Sequence, residues 1–303
     1  MIRKAVLPVG GLGTRFLPAS KAIPKEMITV VDRPVIQYVV DEAVAAGIRE
    51  IVLVTHPAKK AIEDHFDVHY EIEAELEKKG KTELLARLKA IVPADVRVIS
   101  VRQGRPLGLG HAVLCAREVI GDEPFAVLLP DVLVDGDGLG RRNDLARMVE
   151  AWNESSQAQI MVAQVPRDKV SQYGIVGLES GGDEESAQAT LAGGETARIR
   201  GMVEKPAPQE APSDLAVVGR YILPARIFEL LARTQPGAGD EIQLTDAIAA
   251  LLDEQPVAAY SMLGQTYDCG SVPGYLEATL RYGLRHPEHG AQLAALLPSL
   301  AVK

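Results

Sequence analysis

A short apolar run, Lys4 to Val9, stops at Gly10, and three glycines follow within four residues: Gly10, Gly11 and Gly13. A run of this length bounded by glycine reads as a buried strand feeding a loop. The alternation then repeats. Val35, Val39, Ala43 and Ala46 recur at helical spacing between Pro34, suited to a first turn, and Gly47, suited to a C-terminal stop. Ile51–Val54 reads as a second buried strand and Tyr70–Leu88 as one charged amphipathic helix. Val96–Val101 reads as a strand, Ala112–Val119 as a helix ended by Gly121, and Phe125–Leu129 as an apolar strand running into Pro130-Asp131.

Strands alternating with helices at this spacing predict βαβ units, and hence an α/β fold with a Rossmann-like mixed, mostly parallel sheet flanked by helices. Ligands of such sheets bind beyond the carboxyl ends of the strands, where the Gly10–Arg15 loop and Asp131 both fall. Further along, Ile160–Gln164, Ile175–Leu178, Arg198–Glu204 and Leu215–Ile222 read as strands of a smaller β region. Ala225–Leu231, Leu244–Leu252 and Val272–Leu284 read as helices, and Glu179–Thr196 as a solvated loop. Without repeats or a Pro/Ser-rich linker, the expected organisation is a core of residues 1–224. A C-terminal helical extension, 225–303, packs on the same domain.

Composition narrows the function. A net charge of −9 argues against gripping nucleic acid by its phosphates. No stretch approaches the roughly 20 apolar residues that span a bilayer, and the N-terminal apolar run is too short for a signal sequence. Cys115 and Cys269 match no metal-ligand spacing and read as thiols in a reducing compartment, so a cytoplasmic protein is expected. Two imitations fail: Phe16 stands where a dinucleotide fingerprint needs its third glycine, and Glu75 where a P-loop ending Gly80-Lys81-Thr82 needs its first.

The run Gly10 to Glu26 carries the strongest signal. Its glycines let the backbone approach a nucleotide and present N–H groups to an anion. Arg15, Lys21 and Lys25 gather three cations within eleven residues of an otherwise acidic chain, and Pro18 and Pro24 stiffen the loop that bears them. This run resembles the G-x-G-T-R-x-x-P-x-[ST]-K…P-K-E signature of the sugar-phosphate nucleotidyltransferases, and more closely that of the bacterial UTP–glucose-1-phosphate uridylyltransferases. The likeness extends from about Ala5 to His286. It takes in Arg102-Gln103-Gly104, Gly108-Leu109-Gly110-His111, Pro130-Asp131-Val132, Val203-Glu204-Lys205-Pro206, Val218-Gly219-Arg220-Tyr221, Gly239–Asp246 and Asp268-Cys269-Gly270.

The resemblance implies UTP and glucose 1-phosphate as substrates, UDP-glucose and pyrophosphate as products, Mg²⁺ as cofactor, and a homodimer or homotetramer assembled through helices near the C-terminus. It places Gly10, Gly11 and Gly13 around the nucleotide, Arg15 on the β/γ phosphates and Lys25 at the reacting centre. Asp131 and Asp268 become the metal ligands. Gln103 reads uracil, and Gly108 lets backbone lie against the base. Gly174, Glu204 and Lys205 form the sugar-phosphate site within the small β region. On their own terms, Gly108-Leu109-Gly110 is equally a tight turn and Glu204-Lys205 a solvated ion pair. Asp240, Glu241 and Asp246 are accounted for by helix capping and surface charge. Use of dTTP, one methyl away from UTP, and a non-catalytic regulatory relative of the same fold both stay open.

Overall fold

The computed structural model describes residues 1–136, 142–179 and 191–300. Among these, the strands in chain order are β1 (Lys4–Pro8), β2 (Thr29–Val30), β3 (Arg33–Pro34), β4 (Glu50–Thr55), β5 (Arg97–Arg102), β6 (Phe125–Leu128) and β7 (Val132–Asp135). There follow β8 (Ala158–Gln164), β9 (Gly174–Leu178), β10 (Thr196–Glu204), β11 (Leu215–Leu223), β12 (Val257–Ser261) and β13 (Gln265–Asp268). Nine form one sheet in the order β5-β4-β1-β6-β11-β8-β12-β10-β9, while β7 pairs with β13 and β2 with β3.

The first half of the sheet, β5-β4-β1-β6, is parallel, with Ala5 level with Ile51 on one side and Ala126 on the other. Parallel strands need cover on both faces, and Val6, Leu7, Val52, Leu53, Val127 and Leu128 are all fully buried. Beyond β6 the sheet turns mixed. β11 lies antiparallel to β6 and β8, β12 parallel to β8, and β10 and β9 antiparallel in turn.

The helix Val35–Ala45 buries Val35, Ile36, Val39, Val40 and Ala43 against the sheet and stops where Gly47 adopts a φ of 94°. The segment expected as a single helix over 70–88 is two, Tyr70–Lys78 and Thr82–Lys89. Gly80, at φ 65°, and Lys81 turn their N–H groups back to Glu77 and Leu76, a glycine cap that ends the first helix. Likewise the helix expected at 112–119 is the pair Leu109–Cys115 and Arg117–Ile120. Of the loop expected at 179–196, residues 180–190 lie outside the described residues.

The C-terminal part holds the expected helices, at Ile227–Arg233, Leu244–Leu252 and Val272–Arg285, and a further one at Gly290–Leu300. It is not helical throughout. Its segment β12 is fully buried between β8 and β10, so the chain after residue 225 is woven into the central sheet. Five small or aromatic residues, Val257-Ala-Ala-Tyr-Ser261, lack the alternation that betrays a half-buried strand, and pairing on both edges holds them extended. The strand β13 then runs antiparallel to β7, with Asp268 level with Val132.

Candidate active site

The glycine loop leaves β1 and tightens through three short 3₁₀ turns, Thr14–Phe16, Ala19–Lys21 and Lys25–Met27. Gly13 sits at φ 67°, and its carbonyl accepts from the Ser20 hydroxyl at 2.7 Å. A side chain at Gly13 would also press on the Lys25 stem at 3.3 Å, so the glycines leave a channel through which Lys25 reaches the sheet edge. The next residue anchors it: Glu26 is buried and takes a 2.8 Å bond from Lys59 Nζ, itself buried.

Lys25 Nζ donates to Asp131 Oδ2 at 2.5 Å. Burial pushes the Asp131 carboxyl up, but the Lys25 ammonium beside it wins and holds the group below the ordinary carboxylate range. Arg15 Nη1 reaches Asp268 Oδ2 at 3.3 Å, and the Gly270 N–H donates to Asp268 Oδ1 at 2.9 Å. Gly270 is the focus. A Cβ there would lie 2.6 Å from Asp131 Oδ2, 2.8 Å from Arg15 Nη2 and 2.9 Å from Asp268 Oδ1. Two carboxylates and two cations thus converge on one point, brought together by the β7–β13 pairing. Cys269, next in the chain to Asp268, is buried; burial and both carboxylates push its thiol up to about 12, so it is neutral.

The donor set suits a hard cation. Among the described residues no three His, Cys, Asp or Glu side chains cluster as a protein-only metal cage. Asp131 and Asp268 face each other across Gly270 and present paired carboxylate oxygens, the donor type that suits a hard divalent cation sharing its remaining positions with phosphate oxygens and water.

On the other side of the loop, Gln103 is buried, and its Oε1 lies 2.7 Å from where a Gly10 Cβ would stand. Its Nε2 donates to Gly108 O at 3.1 Å and meets His111 Nδ1 at 3.0 Å. Burial holds His111 below its ordinary pKa, so the ring is neutral and Nδ1 accepts. With both amide hydrogens engaged, the free capability of Gln103 is acceptance at Oε1. Gly108 takes φ 98° and packs so tightly that a Cβ would meet Glu241 at 2.7 Å. Backbone bonds from Gly110 N to Ile242 O and from Ile242 N to Leu107 O, both 2.8 Å, zip the two loops together.

Gly174 opens β9 opposite Glu204, which closes β10. Glu204 Oε2 accepts from Thr245 Oγ1 at 2.8 Å, and Oε1 pairs with the exposed Lys205 Nζ at 3.1 Å. Tyr173 links this corner to the carboxylates: burial, then the charge of Asp268, raises its phenol, with Arg15 opposing. Tyr173, Thr245 and Gly270 had no role in the sequence reading. Thr245 and Gly270 lie inside motif stretches and Tyr173 just before Gly174, but only the pairing of distant segments reveals what each touches.

A nucleotidyl transferase family profile matches residues 4–283. The chain belongs to that family. It is 52% identical over 299 residues to the UTP–glucose-1-phosphate uridylyltransferase of Haemophilus influenzae, covering 98% of this chain and 99% of that one. The Escherichia coli K12 enzyme of the same name is 52% identical over 297 residues, covering 98% and 95%. Among solved structures, the UTP-bound enzyme of Acinetobacter baumannii superposes with a TM-score of 0.89 at 56% identity and complete coverage of both chains. As a nucleotidyl transferase, the chain has its glycine loop beyond β1, Asp131 between β6 and β7, Asp268 at the end of β13 in the separate β7–β13 pair, and Gly174 facing Glu204 across β9 and β10. No helix among the described residues is long and apolar enough to cross a membrane.

Proposed function

We propose that this chain is a UTP–glucose-1-phosphate uridylyltransferase, converting UTP and glucose 1-phosphate to UDP-glucose and pyrophosphate. The observation that carries the reading is the convergence of Arg15, Lys25, Asp131 and Asp268 around Gly270. In this reading Gly10, Gly11 and Gly13 shape the loop around the triphosphate, and Arg15 neutralises its β and γ phosphates. Gln103 Oε1 accepts from uracil N3–H, for which cytosine offers no donor, and the Gly108 backbone lies against the base. Glu204 accepts from glucose hydroxyls, Lys205 pairs with the sugar phosphate, and Gly174 admits the sugar against the backbone.

A glucose 1-phosphate oxygen attacks the α-phosphorus in line, and the bond to the bridging β-phosphate oxygen breaks, so pyrophosphate leaves with that electron pair. The attacking phosphate is already ionised at neutral pH and needs no base; His111 is left to orient Gln103. Lys25 exchanges Asp131 for a phosphate oxygen and offsets charge as it builds in the transition state. Mg²⁺ held by Asp131 and Asp268 would supply further charge neutralisation on the phosphates.

Val272, Leu276, Leu280 and Leu284 stand exposed at four-residue spacing along one helix, an apolar face suited to a homodimer or homotetramer. Two free thiols accord with a cytoplasmic setting. The deciding experiment is pyrophosphate release with glucose 1-phosphate, Mg²⁺ and each nucleoside triphosphate in turn. Release with UTP, lost on adding EDTA, is expected. Equal release with dTTP would overturn the base-pocket reading. No release from protein that still binds UTP would point to a regulatory relative.

A further inference from the structure

Arg220 is fully buried in the middle of the sheet, and the reaction described above gives it no task. Its surroundings do. Gly219, at φ 95°, and a break in the β11–β8 register between Val217 and Tyr221 mark a bulge. Bulges re-aim side chains. The guanidinium is turned onto the segment that carries Asp131. Nη1 donates to Leu129 O at 3.0 Å and Nη2 to Val132 O at 2.7 Å, the carbonyls on either side of Pro130-Asp131. The Leu129 N–H is in turn bonded to Gly219 O at 2.9 Å. Facing the other way, Nε and Nη2 fork onto Glu42 at 3.0 and 2.7 Å. Glu42 lies on the helix Val35–Ala45, which follows the glycine loop, and Asn143 Nδ2 bonds its carbonyl at 2.9 Å.

A buried ion pair is a poor way to gain stability, because desolvation consumes most of the attraction. An apolar pair would fill the space at less cost. What an apolar pair lacks is a planar fork that spans two carbonyls three residues apart while tied to a fixed carboxylate.

We infer that Arg220, braced by Glu42, is a positioning residue that holds the Leu129–Val132 turn so that Asp131 presents its carboxylate to the divalent ion. The inference rests on the proposed metal role of Asp131. Groups that orient metal ligands typically change metal affinity about 10–100-fold when removed.

The test measures Mn²⁺ binding to the full-length, UTP-loaded protein by electron paramagnetic resonance, beside thermal unfolding and UTP affinity without divalent ions. Arg220→Lys keeps the charge facing Glu42 but cannot span both carbonyls. It should weaken Mn²⁺ about tenfold or more, with metal-free UTP affinity within about twofold. Glu42→Gln loosens the brace and should weaken Mn²⁺ about threefold. A folded Arg220→Lys protein that binds Mn²⁺ like the parent, even with a lower melting temperature, overturns the inference. Should that variant not fold, Glu42→Gln at parental Mn²⁺ affinity overturns it equally. Asp131→Asn is the control and should lose tight Mn²⁺ binding. Parental binding there would sink the metal reading itself, and the role of Arg220 with it.

Discussion

The Lys25 ammonium rests on Asp131 Oδ2, so in the free protein a resident cation occupies the carboxylate proposed above to hold the divalent ion. In the proposed reaction the nucleotide would resolve the contest by offering Lys25 a phosphate oxygen. Lys25→Met should therefore do two opposite things. It should tighten Mn²⁺ binding in the absence of nucleotide by about three- to tenfold, as a charge-assisted bond to Asp131 is lost. It should also lower kcat by about 10²-fold or more. Titration calorimetry with Mn²⁺ alone checks the first; an unchanged or weaker affinity refutes the competition.

Gly270 leaves no room for a methyl group among Asp131, Arg15 and Asp268. Gly270→Ala should fold normally by circular dichroism yet lose about 10²-fold in turnover, because small displacements of charged groups at a reacting centre are that costly. Activity within a few-fold of the parent would mean that these groups do not act where they converge.

Thr245 donates to the same Glu204 oxygen that faces Gly174. Thr245→Val keeps the shape and removes the donor. We expect the KM for glucose 1-phosphate to rise about tenfold, the usual scale for a bond to a charged group, with the KM for UTP unchanged. Steady-state kinetics with each substrate varied in turn separates the two; equal rises would assign Thr245 to general stability.

His111 is held below its ordinary pKa by burial, so its neutral form, which accepts from Gln103, prevails at pH 7. A group with a depressed folded pKa contributes fully above pH 6.5 and loses that contribution as the pH falls through the folded value. The KM for UTP should climb on acidification below that range. His111→Asn, which keeps an acceptor without titrating, should flatten the climb. If both proteins give the same pH profile, protonation of the nucleotide alone explains it.

Much of this site was legible in the sequence because its signals are local. The glycines, cations and prolines from Gly10 to Glu26 sit within one loop, and β1, β4 and β6 are continuous apolar runs because both of their faces are covered. What escaped depends on long-range pairing. Both β7 and β13 are four residues long and contain aspartate, so neither reads as a strand until the other lies beside it. Arg220 hides inside an apolar run, and its meaning depends on a bulge and on Glu42, far back in the chain. Gly80 looks tolerable within a helical stretch until its positive φ shows the cap.

Because β12 and β13 arrive so late, the order of synthesis runs against the order of chemistry. The glycine loop, Lys25 and Asp131 leave the ribosome early, but β7 then lacks its neighbour and a slot stays open between β8 and β10. Only when residues 257–268 thread into place does the second aspartate meet the first. A nascent or shortened chain ending at residue 224 would carry every residue of the signature loop and have no working centre. The same late segment therefore completes both the sheet, through β12, and the paired aspartates, through β13.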